Sequence, residues 1–123
     1  MKLRIHGNSL RLRLNRHEID QLRETGSCAQ SLRFGSGSHL TYILETSSQF
    51  PGMDAQYQRD CIRILLPLDL AREWAGSDQV SLSLNRSDGS GPSLLIEKDF
   101  RCLHHEEANP NNDADTFPNP SEK

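Results

Sequence analysis

Apolar and polar residues alternate strictly along the first fourteen positions. Met1, Leu3 and Ile5 alternate with Lys2, Arg4 and His6; past Gly7-Asn8, Leu10, Leu12 and Leu14 alternate with Arg11 and Arg13. A period of two puts each set on its own strand face, and a Gly-Asn pair between two such runs is a hairpin signal. With Gly7-Asn8 at the tip, Ile5 pairs with Leu10 and Leu3 with Leu12. All the apolar residues then share one face.

The period changes at Asn15. That residue reads as an N-cap, and Glu18 three positions on completes a capping box. Ile19 and Leu22 share one face of the short helix that follows, and Gly26 ends it. A second hairpin is expected over Cys28–Phe34 and Leu40–Glu45, turning in "GSGS". "TSSQFPGMDAQYQRD" (Thr46–Asp60) is polar and broken by Pro51-Gly52, so it reads as a connecting loop. Then "CIRILLP" predicts a strand, "LDLAREWAG" a helix, "QVSLSLNR" a strand, "SDGSGP" a turn and "SLLIEKDF" a strand.

The second series repeats the first. A shift of 52 positions lays Leu10, Leu12 and Leu14 on Ile62, Ile64 and Leu66, and Ile19 and Leu22 on Ala71 and Trp74. It also lays Cys28 and Leu32 on Val80 and Leu84. The expected class is α+β: duplicated β-α-β-β units forming a largely antiparallel sheet or half-barrel, with two short helices on one side. Ile19, Leu22, Ala71 and Trp74 should press on the inward leucines, with Trp74 mostly buried. Residues 1–103 form one domain and 104–123 an acidic, Pro/Asn-rich tail, disordered or docked through Phe117.

Composition narrows the options. A net charge of −3 argues against nucleic-acid binding through bulk charge. No apolar run approaches the ~20 residues of a membrane helix, and the N-terminus lacks a signal-peptide core. The cytosol is the default compartment. Three widely spaced cysteines, Cys28, Cys61 and Cys102, favour reduced thiols over a disulfide framework.

Taken together, "MKLRIHGNSLRLRL", "LTYILE", "AREWAGSDQVSL", "LLIEKDFRCL" and "DTFPNP" resemble a family of small uncharacterised bacterial proteins, a domain of unknown function. The resemblance spans nearly the whole chain. It implies a single-domain cytosolic protein, and it supplies no activity, ligand or catalytic residue.

The charge pattern raises the functional question. The hairpin register sets Arg4 opposite Arg11 and Lys2 opposite Arg13, and facing like charges are destabilising. Three resolutions compete: a solvated face, internal compensation by Glu45, Glu97, Asp99 or the tail acids, and an anionic ligand or acidic protein segment bound to the face. Arginine suits the last because its planar fork grips phosphate or carboxylate. The candidate binding residues are Lys2, Arg4, Arg11, Arg13 and, through the repeat, Arg63. An enzyme alternative is a small phosphate-handling hydrolase using Glu45 or Glu97 as acid–base partner. A structural, self-associating domain is another. Cys102 and His104 are weak metal candidates, since C-x-H-H is not a structural zinc spacing, and no cofactor is expected.

Overall fold

The computed structural model describes residues 1–100. The chain runs β1 (Lys2–His6), β2 (Ser9–Leu14), α1 (Arg16–Thr25), β3 (Ser27–Arg33), β4 (His39–Ser47), β5 (Asp54–Gln58), β6 (Cys61–Pro67), α2 (Leu68–Ala75), β7 (Ser81–Leu84) and β8 (Ser93–Lys98). It is an α+β fold with two four-stranded sheets. Sheet A has the order β1-β2-β8-β7 and sheet B the order β3-β4-β6-β5. Four of the six strand pairings are antiparallel; the central ones, β2 with β8 and β4 with β6, are parallel.

Local sequence explains the opening elements. The β1–β2 hairpin has the expected register, Leu3 against Leu12 and Ile5 against Leu10, and Gly7 turns at φ +55°. Asn15 accepts a bond from the Glu18 amide while the Glu18 carboxylate accepts one from the Asn15 amide, both at 2.9 Å. Glu18 also pairs with the N-terminal ammonium of buried Met1. Gly26 closes α1 at φ +88°, a left-handed conformation that glycine adopts without a steric penalty.

The loop expected over Thr46–Asp60 is corrected. Within the stretch read as a loop, Asp54–Gln58 is a strand paired antiparallel with β6. Its sequence, DAQYQ, has no β-branched residue, and the reversal after it, Arg59-Asp60, contains no glycine. Both turn residues nonetheless sit at positive φ, 54° and 62°, as a type I′ hairpin requires. Pairing with β6 overrides weak local propensity.

The two halves share more than their order. A shift of 52 residues carries β1 onto β5, the start of β2 onto that of β6, and the start of α1 onto that of α2. It also carries the pairing of Leu10 with Leu94 onto that of Ile62 with Tyr42. Each sheet therefore takes one hairpin from each half, and the helices are the crossovers between sheets. The correspondence slips by two at β7. Cys28 faces Leu44 as Leu82 faces Ile96, so Cys28 matches Leu82 and not Val80. The longer connection from α2 to β7 accounts for the slip.

One core joins both sheets and both helices. Leu12, Leu14, Leu44, Ile64, Leu66, Trp74 and Ile96 are all but fully buried, and Ile19, Leu22 and Ala71 pack with them. Trp74 is fully buried and donates from Nε1 to the Val80 carbonyl at 3.0 Å, which satisfies the polar end of its ring. Cys28 and Cys61 are free thiols, and burial pushes the Cys28 thiol up. Among the described residues no helix is long and apolar enough to cross a membrane.

Candidate anion-binding face

Strand alternation sends Lys2, Arg4 and His6 of β1 to the outer face of sheet A. Ser9, Arg11 and Arg13 of β2, and Ser93, Leu95 and Glu97 of β8, point the same way. Arg4 lies opposite Arg11 and Lys2 opposite Arg13, as the alternation predicts. Four of the five candidate residues are thus together. Arg63 is not with them: it lies on β6 of sheet B, whose outer face is a separate surface. The 52-residue shift lays Arg11 on Arg63 without bringing them to a common site, because the two strands belong to different sheets.

Two carboxylates answer part of the charge. Arg13 Nε donates to Glu97 Oε1 at 2.9 Å, and Arg11 Nε lies 3.7 Å from the same oxygen. Lys2 Nζ is 3.5 Å from Asp99 Oδ2, with a lysine side chain that remains 74% exposed. Arg4 is exposed and makes no ion pair or hydrogen bond among the described residues. Internal compensation, one of the three resolutions, therefore operates among the described residues and leaves Arg4 without a carboxylate there.

Sheet B supplies an internal comparison. Arg63 and Glu45 occupy the positions of Arg11 and Glu97 and form a tighter, two-pronged pair. Nε and Nη2 of Arg63 donate to the two carboxylate oxygens at 2.9 and 2.8 Å, and Nη1 donates to Gln56 at 2.9 Å. The hydrogen bonds from Arg63 hold the Glu45 carboxyl below its ordinary range, against the opposing effect of burial. Where sheet A has Lys2, Arg4 and Arg13, sheet B has Asp54, Gln56 and Leu65. Leu65 is buried beside Phe50 and Met53 instead of carrying charge. The Arg–Glu pair is common to both faces; the surplus of cations belongs to sheet A alone.

The cationic face borders an open groove of about 1530 Å³, in which Lys2 and Arg13 meet Arg16, His17 and Arg23 of α1 and Lys98 of β8, with Asp20, Asp78 and Asp99 as its carboxylates and Phe100 in its wall. Lys98 is committed elsewhere: its ammonium donates to the Ser77 carbonyl at 2.6 Å and lies 5.8 Å from the Trp74 ring centre. Arg16 and Arg23 are additions that strand alternation cannot find. A cation in the first turn of a helix opposes the helix dipole, so Arg16 is the one signal that was legible. Among the described residues no group of three metal-binding side chains occurs. Cys102, His104 and the acidic tail lie outside the described residues.

A two-sheet α+β domain with one cationic sheet face is the class that fold and face define. A family of unknown function, DUF7009, matches residues 1–121, and the chain belongs to that family. No curated protein and no solved structure matches it.

Proposed function

We propose that this protein is a non-enzymatic, cytosolic binding module whose sheet A face, bearing Lys2, Arg4, Arg11 and Arg13, holds a polyanion presenting carboxylate or phosphate groups. One observation carries the reading. The equivalent face of sheet B stands on the Arg63–Glu45 pair without Lys2, Arg4 or Arg13 counterparts, so the fold does not require those three charges. Arg4 and Arg11 oppose each other at some cost, and a cost that stability does not explain supports a ligand. The matching registers of the two halves support a duplicated β-β-α-β-β unit in which one face has diverged towards binding.

An open sheet surface favours a binding module over a hydrolase. Glu45, offered as an acid–base partner, sits on the other sheet with its carboxyl held down by Arg63, whereas a general acid needs a raised pKa. The test is equilibrium binding of short-chain inorganic polyphosphate at several salt concentrations. Wild type should bind with affinity that falls steeply as salt rises. Arg4→Gln combined with Lys2→Gln should weaken binding at least tenfold, and Arg63→Gln should leave it unchanged. Equal losses from both variants, or no binding by wild type, would overturn the proposal.

A further inference from the structure

We infer that the occupant of the sheet A face is the acidic segment 106–122 of the same chain, an inference that rests on the binding face proposed above. The path of the backbone is the first argument. The Asp99 amide donates to the Leu14 carbonyl at 2.9 Å, and Asp99 pairs with Lys2. Strand β8 therefore delivers the chain to the groove, where Phe100 forms part of the wall beside Lys2 and Arg13. Phe100, the last described residue, therefore lies at the edge of the cationic surface.

Charge is the second argument. Residues 1–100 carry equal numbers of Lys/Arg and Asp/Glu, so the net charge of −3 resides entirely beyond them. Glu106, Glu107, Asp113, Asp115 and Glu122 face only Arg101 and Lys123 in that stretch. Reach is the third. Six residues extend to about 20 Å, roughly the length of a six-residue strand such as β2, so Glu106 can reach any cation from Arg16 to Arg4. Tethering supplies an effective concentration on the order of millimolar, enough for weak surface ion pairs to hold the segment. The segment then competes with any external polyanion for the face.

The test uses the full chain with Glu106→Gln, Glu107→Gln, Asp113→Asn, Asp115→Asn and Glu122→Gln together. Backbone amide NMR without ligand at low salt should show shifts at Arg4, Arg11, Arg13 and Arg16 between wild type and this variant. The differences should vanish at about 1 M salt, where the screening length is about 3 Å, and should not change with protein concentration. Inorganic polyphosphate should bind the variant about three- to fivefold more tightly, because the competing segment has lost its charge. Unchanged amides with equal polyphosphate affinities would overturn the inference while leaving the binding face standing. Concentration-dependent shifts would overturn it in favour of the segment of a second copy. Unchanged amides with no polyphosphate binding would remove both.

Discussion

With the five acids of segment 106–122 neutralised, so that they no longer offset its charge, replacing Arg4 by glutamine should make the protein more stable. Arg4 lies opposite Arg11 in the antiparallel hairpin, where facing Cβ atoms are about 5 Å apart. Exposed side chains let the two guanidinium groups separate to roughly 7 Å. At that distance in water the repulsion is about 0.6 kcal/mol, and a screening length of about 10 Å at 0.1 M salt halves it to ~0.3 kcal/mol. Glutamine keeps the stem that covers the strand and removes only the charge. Urea unfolding followed by the fluorescence of Trp74, the single tryptophan and fully buried, measures the difference. Arg4→Gln should gain about 0.5 kcal/mol near 0.01 M salt, where the screening length is about 30 Å. The gain should fall to ~0.3 kcal/mol at 0.1 M and be lost by about 1 M. In thermal unfolding the low-salt gain corresponds to roughly 2–4 °C. A variant less stable than its tail-neutralised parent, or a gain indifferent to salt, would refute the argument that Arg4 is retained at a cost to the fold.

Other substitutions probe the frame that presents the face. Glu45→Gln should cost about 1 kcal/mol, towards the upper end for a half-exposed pair because its geometry is two-pronged. Because Glu45 is held below its ordinary value of 4.5, its stabilisation is present above that value and is lost as pH falls through the depressed one. The unfolding midpoint of Glu45→Gln should therefore fall less steeply than wild type's below about pH 4.5. Asn15→Ala removes one half of the capping box and should cost ~1 kcal/mol by urea unfolding. Gly91→Ala would place a Cβ 2.2 Å from Arg86 Nη1, whose neighbouring Nη2 pairs with Asp54 at 3.1 Å. The guanidinium must turn away, and the loss, about 0.5–1 kcal/mol, should nearly disappear when Arg86→Gln is already present.

The parts of this fold that were legible in the sequence are those whose information is local. Strict alternation around Gly7-Asn8 gave the first hairpin and its register, and Asn15 with Glu18 gave the start of α1. Strand β5 was not legible because its partner, not its composition, makes it a strand. The exchange of hairpins between two sheets is a long-range choice that hydrophobic periodicity does not encode; each strand looks the same whichever sheet receives it. That exchange also decides the candidate site. It keeps Lys2, Arg4, Arg11 and Arg13 together, sets Glu97 beneath two of them, and sends Arg63 to another surface.

The asymmetry between the two sheet faces is the central claim, and amide NMR during addition of short-chain inorganic polyphosphate to the full chain tests it most directly. The account predicts saturable shifts concentrated on Lys2–His6 and Ser9–Leu14, with their counterparts Asp54–Gln58 and Cys61–Leu66 unmoved. Shifts of equal size on both sets, or none on either, would contradict it.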